Sequence, residues 1–545
     1  MSTKEVIRKM FALLKDYRKT IIVIIGCLLI STALNLYIPL LNRRIMDDGF
    51  IGGDKKLLIT TVLCSFFLFL LCSCIELLKE KKRIEIATKL QYKLSEESYL
   101  HLMRMKAEYF SVHNYSEIMN NIQTDIDNMA SIADDSTFFV ITQIFGIMGG
   151  IIGLFIIDWR MTILVLAFIP VKYVAVRHFA KRRKKAMDIY ISDRQAYAGW
   201  FGDTIGGVRE VKLFGIFEDK QKEFEDRQNR VISSQKEMNM LMQWNSMADV
   251  VLVQFLTTMI YIIGADMVFD LSLSIGSVFA FITYSAYVTR PISAILNIGY
   301  YMSGVIPSAK RYYEFMDEAE EDRGAEYRSV PQPGDIEFRQ VSFAYEEGKP
   351  VLENISFLIP RGSKTALIGK NGSGKSTVID LLLRMYTPNR GQILLDGKDI
   401  SNMPLSEYRD LISVVSQDIY LFHDTIRNNI CLYRQIDDEQ IFDACRDSGL
   451  LEFIKEVSLD YSVGTNGMML SGGQKQKIAL ARALIHDRPI VLFDEVTSSS
   501  DTDSEQQINA LLNTRLRDKT VIVIAHRQAV LSEVNKVVRL NDSCP

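Results

Sequence analysis

Net charge is almost absent from this chain: 63 Lys and Arg stand against 66 Asp and Glu, leaving −3. Without a basic excess no field holds a nucleic acid, so that partner class is excluded at whole-chain level. Cysteine is scarce and unpatterned. The seven cysteines (Cys27, Cys64, Cys72, Cys74, Cys431, Cys445 and Cys544) make no C-x-x-C pair and no Cys/His ligand cluster, so neither a zinc site nor a disulfide framework is expected. Four of them lie in apolar runs, where a free thiol behaves as a small hydrophobe. Low-complexity tracts and internal repeats are also missing.

What the chain does have is apolar length. A mean hydropathy of +0.07 coexists with 24% charged residues, so two unlike parts are being averaged over 545 residues. Uncharged runs at 21–41, 57–75 and 136–157 are each long enough as helices to cross a bilayer core. The run 250–265 extends back to Met238 with Asp249 as its interruption, and 271–289 continues past Arg290 to Ala309. A sixth run, 161–176, contains Pro170 and Lys172; a lysine near a helix end can reach the headgroups. Parity supports counting it. The basic N-terminal segment (Lys4, Arg8, Lys9, Lys15, Arg18, Lys19) and the C-terminal half both belong on the cytosolic side, which requires an even number of spans. The first run is longer than the apolar core of a signal peptide, and no A-x-A site follows it.

The expected spans are therefore 21–41, 57–79, 136–157, 161–178, 246–269 and 271–306. Basic loops after the second and fourth (Lys79, Lys81, Lys82, Arg83; Arg177 and 181–185) agree with cytosolic placement, while Arg43, Arg44, Lys55 and Lys56 run against it. Both inner loops read as amphipathic helices, at 87–109 and 192–230, projecting from the bilayer. An acidic, Pro-containing linker at 317–334 then separates a transmembrane domain, 1–316, from a soluble one, 335–545.

The soluble half carries chemistry. Residues 366–368 read as a buried strand entering Gly369, Lys370, Asn371, Gly372, Ser373, Gly374, Lys375, Ser376 and Thr377, with a helix at 378–385. This is a P-loop in the context it needs. Glycines let backbone N–H groups face phosphate, Lys375 reaches the terminal phosphates, Ser376 can ligate Mg²⁺, and the helix N-terminus favours the anion. Residues 489–495 read as a strand ending in Asp494 and Glu495. One carboxylate can hold Mg²⁺ and the other can orient or deprotonate an attacking water. Alone, such a run is usually an ordinary strand end; the P-loop upstream makes it a Walker B site.

Between these motifs, Leu470-Ser471-Gly472-Gly473-Gln474 precedes a stretch of helical composition, 478–485. Physically it is a plain glycine turn or a second anion site at a helix start. The string resembles the signature motif of the ABC transporter ATPases, and the order of the parts resembles a half-transporter of the exporter type across essentially the whole chain. That resemblance implies a membrane all-α domain of six helices with long cytosolic extensions, followed by an α/β P-loop ABC ATPase domain. It implies ATP and Mg²⁺, and ATP-driven export by alternating access in a dimer with two composite sites.

The resemblance also assigns roles. Tyr345 looks like the aromatic that stacks on adenine, although a sheet-packing tyrosine reads the same. Gln417 is similar to the glutamine that lies at the membrane-domain interface and approaches Mg²⁺. His526 is similar to the switch histidine at the γ-phosphate, Asp501 to the D-loop aspartate at the dimer contact, and Glu495 to the catalytic carboxylate. Ser471, Gly472, Gly473 and Gln474 would close over ATP held by a partner's P-loop. Segments near 115–118 and 200–203 match the family's coupling helices in position. The complete motif set favours a homodimer, with a heterodimer left open, in lipid of a bacterial plasma membrane with the N-terminus and ATPase domain cytoplasmic.

Three departures stand out. Gly464-Thr465-Asn466-Gly467 lacks the glutamate many exporters carry before the signature, Ser498 to Ser500 replace the more usual Ala-Leu, and the strands after His526 look shortened. An ATP-gated channel is the rival reading, set against by an intact Glu495 and His526; a soluble ABC ATPase acting on nucleic acid or ribosomes is set against by the spans, and import stays open. Gln143, Lys172, Asp249, Asp266, Arg290 and Asn297 are candidates for a translocation path or for helix packing. Gly146, Gly149, Gly150 and Gly153 suit close packing. Phe281, Tyr284, Tyr287 and Tyr300 are candidates to line a cavity for an apolar or amphipathic peptide, lipid or drug-like molecule.

Overall fold

The structure, a computed structural model, describes residues 1–113, 115–131, 135–321, 334–346, 348–494, 509–524 and 534–540. Two compact units make up the chain: Met1–Met103 with Tyr115–Glu318, and Arg104–Asn114 with Ala319–Pro545.

The first unit is helical. Helix α1 (Thr3–Leu13) starts on a capping box between Ser2 and Glu5 and buries Val6 and Met10. It leads into α2 (Arg18–Arg44) and a π-helical turn at Ile45–Ile51. Gly52 and Gly53 end that turn, and Asp54 starts α3 (Lys55–Leu102) by accepting from the N–H groups of Lys56 and Leu57. After a short α4 (Ala107–Val112) come α5 (Tyr115–Ala130), α6 (Asp135–Ile157), α7 (Trp159–Gly206), α8 (Val208–Phe214), α9 (Phe217–Phe269) and α10 (Ile275–Met316). Asp158 caps α7 and Ser274 caps α10. Pro170 is carried inside α7 without ending it.

At about 1.5 Å per residue, the 48-, 48- and 53-residue helices α3, α7 and α9 far exceed a hydrocarbon core of about 30 Å. Their polar halves therefore stand in water, where α3 carries a Lys82–Glu85–Lys89 ladder. Four described helical stretches are long and apolar enough to cross a membrane, and α6 contributes a shorter apolar stretch, Thr142–Ile157. On α3 the aromatic residues Phe66, Phe67 and Phe69 stay exposed, as a lipid-facing helix requires.

One expectation is displaced. The short helices between the long ones are α4 and α8, whereas 115–118 opens α5 and 200–203 lies within α7. Glycine sets the second boundary: the chain breaks at Gly207 and again at Gly215, which takes φ +65°.

Two sheets organise the second unit. An antiparallel sheet of order β2-β1-β4-β5 is built from β1 (Ile336–Glu346), β2 (Lys349–Ile359), β4 (Arg390–Leu395) and β5 (Lys398–Asp399). Phe338 stacks on Phe357 across β1 and β2, ring centroids 4.5 Å apart. A parallel sheet of order β6-β7-β8-β3-β9 combines β3 (Lys364–Ile368), β6 (Ile412–Val415), β7 (Ile490–Asp494), β8 (Thr520–Ile524) and β9 (Lys536–Arg539). Residues 490–493 of β7 and 521–524 of β8 are apolar and buried, as a sheet covered on both faces demands. Helix α11 (Lys375–Leu382) follows β3, α12 (Leu405–Arg409) precedes β6, and α13 (Ile426–Cys431), α14 (Asp438–Asp447), α15 (Leu451–Val457) and α16 (Gly472–Ile485) pack around a core of their own.

Candidate nucleotide site and membrane cavity

Strand β3 is buried and hands the chain to a loop that doubles back into α11. Glycine makes the doubling possible. Gly372 and Gly374 take φ +81° and +85°, and a β-carbon on Gly374 would come within 2.5 Å of Leu352 Cδ2. A β-carbon on Gly369 would lie 2.4 Å from Ser373 Oγ. Lys375 is 6% exposed, and its Nζ donates to the carbonyls of Gly369 at 3.0 Å and Lys370 at 2.9 Å. The ammonium is thereby folded over the loop, at the helix end where the dipole already favours an anion. Ser373 Oγ is buried and has no hydrogen-bond partner among the described residues. Leaving a hydroxyl so costs roughly 1–3 kcal/mol, and an anion in the loop would provide the missing partner. Asn371 and Ser376 are exposed, and Thr377 is buried.

Tyr345 lies at the end of β1, and its hydroxyl reaches Thr377 Oγ1 at 3.1 Å and Asp380 at 3.3 Å. Its ring packs edge-on against Phe343 and Tyr386 yet stays 49% exposed. Burial pushes both the Tyr345 hydroxyl and the Asp380 carboxyl up from their ordinary ranges. The tether leaves a ring face exposed, as stacking on a base requires. Asp380 escaped the sequence reading, although its place three residues after Thr377 on α11 was a usable signal.

Parallel register aligns the other candidates along one sheet edge. Leu367 of β3 and Asp494 of β7 both pair with Ile524 of β8, while Val415 of β6 pairs with Phe493. The P-loop after β3, Asp494 at the end of β7 and Gln417, two residues past β6, therefore all stand at or beyond the carboxyl ends of strands in one sheet, where open α/β sheets bind ligands. Glu495, Asp501 and His526 lie outside the described residues. At α16, Ser471 forms a capping box with Gln474: Ser471 Oγ accepts from the Gln474 N–H at 3.3 Å, and Gln474 Oε1 accepts from the Ser471 N–H at 2.8 Å. Gly472 and Gly473 are exposed, and a β-carbon on either would meet nothing within 4 Å.

Two family models match the chain, that of the ABC transporter transmembrane region over residues 21–292 and that of the ABC transporter over residues 352–498. The chain belongs to the ABC transporters. The ATP-dependent lipid A-core flippase of Escherichia coli K12 is 29% identical over 550 residues, spanning 99% of this chain and 94% of that protein. Its counterpart in Shigella sonnei Ss046 is 28% identical over the same span. In fold, the transporter matches a bacterial Atm1-family ABC exporter solved with ATP bound, with a TM-score of 0.81 at 22% identity, covering 96% and 93% of the two chains. It is an integral membrane protein that couples ATP hydrolysis to export, with the fold class expected of it: a helical transmembrane domain followed by an ABC ATPase domain.

Within the transporter's membrane unit the polar candidates separate into two kinds. Lys172 is fully buried and pairs with Asp249 at 2.8 Å, while Ser293 donates to the same carboxylate at 2.7 Å. The ion pair and the serine's hydrogen bond tie α7, α9 and α10 together, although the Lys172 ammonium makes no well-directed hydrogen bond among the described residues. Arg290 and Gln143 instead line a cavity of about 360 Å³ with Thr32, Asn35, Leu36, Thr142 and Tyr287. The aromatic candidates separate likewise. Phe281 and Tyr284 are buried in the helix core, where the Tyr284 hydroxyl donates to the Leu36 carbonyl at 2.6 Å, so packing rather than lining is their role. The side chains of Asn297 and Tyr300 lie outside the described residues. A β-carbon on Gly149, Gly150 or Gly153 would run into Leu36, Val288 or the Tyr284 ring at 3.0 Å or less, whereas Gly146 faces open space.

Proposed function

We propose that the transporter exports an amphipathic molecule with an anionic or strongly polar end, working as a homodimer with two composite ATP sites. In each site one copy supplies Tyr345, Gly369, Asn371, Gly372, Ser373, Gly374, Lys375, Ser376 and Thr377, and the other supplies Ser471, Gly472, Gly473 and Gln474, with Asp501 at the contact. Ser376, Asp494 and Gln417 would hold Mg²⁺, which neutralises charge on the transferred phosphoryl group when bound. Glu495 orients or deprotonates the attacking water, and His526 senses the γ-phosphate. The proposal includes the division into a transmembrane domain 1–316, a linker 317–334 and an ATPase domain 335–545, the latter on the cytosolic side.

The observation that carries the dimer is the pair of glycines opening α16. Glycine costs about 1 kcal/mol relative to alanine in a helix interior and less in the first turn, where these two stand. Here neither glycine takes a positive φ, and neither is crowded by its own chain. The compensation therefore comes from outside: a ligand brought against the bare backbone N–H groups of the first turn. Support for the substrate class comes from the cavity, whose walls of Leu36, Ala286, Pro291 and the Tyr287 ring are closed by Arg290, Gln143 and Asn35. The relatives named lipid A-core flippases point the same way. Transport assays in proteoliposomes test it: Arg290→Ala is expected to weaken stimulation by an anionic amphiphile about tenfold and leave that by a neutral analogue unchanged. Equal loss for both would sink the anionic reading.

A further inference from the structure

We propose that Glu321 and Arg409 form a mechanical joint that carries the position of α3 and α10 to the elements facing ATP, a positioning role that rests on the transporter reading above. The joint lies wholly within the second unit. The Arg409 guanidinium grips Glu321 in a two-pronged ion pair at 2.9 and 3.0 Å, with both side chains mostly shielded from water. Its remaining donors go to the Leu383 and Arg384 carbonyls, each at 3.0 Å. Those carbonyls end the P-loop helix α11, where a cation complements the helix dipole.

Four further contacts complete the joint. The Glu321 N–H donates to the Arg104 carbonyl at 2.7 Å, and Glu320 pairs with Met105 as an isolated antiparallel bridge. Arg104 follows α3 by two residues and Glu320 follows α10 by four, so both long helices are covalently continuous with this node. On the other side Arg488 donates to the carbonyls of Arg409 at 2.8 Å and Ile412 at 2.6 Å, tying the start of β6 to the residues before β7. Arg409 thus connects two incoming chain segments to α11, and Arg488 extends the link through the Arg409 carbonyl to β6 and β7; these elements bear Lys375, Gln417 and Asp494 at or beyond their ends. No other residue type fits. Lysine would keep the charge but lose the planar fork that serves a carboxylate and two carbonyls together.

The experiment uses the full-length transporter in lipid nanodiscs, comparing wild type with Glu321→Gln, Glu321→Asp and Arg409→Lys. A spin label at the exposed α3 position Phe67 reports the change in distance between copies on trapping with ATP and vanadate. ATP hydrolysis and melting temperature are measured on the same samples. Expected for Glu321→Gln is hydrolysis within about twofold of wild type with the distance change cut by more than about half, Arg409→Lys behaving likewise and Glu321→Asp lying between. A full distance change in both Glu321→Gln and Arg409→Lys overturns the joint. So does a loss of hydrolysis and distance change in proportion to a fall in melting temperature, which marks a merely structural pair. A wild type that neither hydrolyses ATP nor changes distance would instead remove the transporter reading, and the joint with it.

Discussion

Ser373 and Lys375 show what a single residue contributes to the nucleotide site. Removing the unpartnered Ser373 hydroxyl by Ser373→Ala is expected to leave the nucleotide-free melting temperature unchanged or raised, because a buried unpaired group is lost. ATP affinity should fall about tenfold as one charge-assisted hydrogen bond disappears. Isothermal titration and a melting curve read both; a drop in nucleotide-free stability with unchanged affinity would place the hydroxyl in packing instead. Lys375→Ala should lower hydrolysis by about 10² or more, measured as phosphate release. His486 offers a pH test outside the membrane. Burial, reinforced by Arg434, Arg488 and Arg482 and opposed by Asp410, lowers its pKa from 6.5 to about 4. A folded pKa below the unfolded one means stability is fully present above pH 6.5 and drains away as pH falls toward 4. His486→Gln should therefore lose less melting temperature than wild type between about pH 7 and pH 5; equal losses would contradict this. Motif residues were legible because spacing alone fixes them, as with Gly369 to Thr377. The tether from Tyr345 to Thr377 and Asp380 was not, since it joins β1 to α11 across the fold.

At the scale of elements, small residues decide how closely the helices approach. Gly153→Val would drive a branched side chain into the Tyr284 ring, which already sits where a β-carbon would be at 2.6 Å. The expected cost is about 1–3 kcal/mol, and the same change at Gly146, which faces open space, should cost far less. Melting curves in one detergent compare them, and equal losses would mean that helix propensity rather than packing is responsible. Apolar runs announced the long helices, and polar continuations announced their extension beyond the bilayer. The short helices α4 and α8 were displaced because sequence periodicity carries no mark of where a helix breaks; the glycines at 207 and 215 were the available signal. Sequence leaves Lys172 and Asp249 open between a translocation path and helix packing for a related reason. The same residue types serve a pore and a buried ion pair, and only their 2.8 Å separation decides between the two.

For the whole molecule, the fold class followed from order: apolar length first, P-loop and signature second. What sequence could not supply is the surface left bare by one chain. Gly472 and Gly473 open α16 with no neighbour of their own, and the P-loop has its lysine folded inward and a hydroxyl unpaired. Each half-site is fitted to something its own chain does not provide, and the simplest assembly closes one on the other through ATP. The direct measurement is cross-linking across that contact. Asn371→Cys and Ser471→Cys are combined in a Glu495→Gln background, oxidised with and without ATP, and compared with each single variant. A covalent dimer that forms only in the double variant and only with ATP is the predicted result; no ATP-dependent dimer, or one formed equally by either single variant, would contradict a site built from two copies.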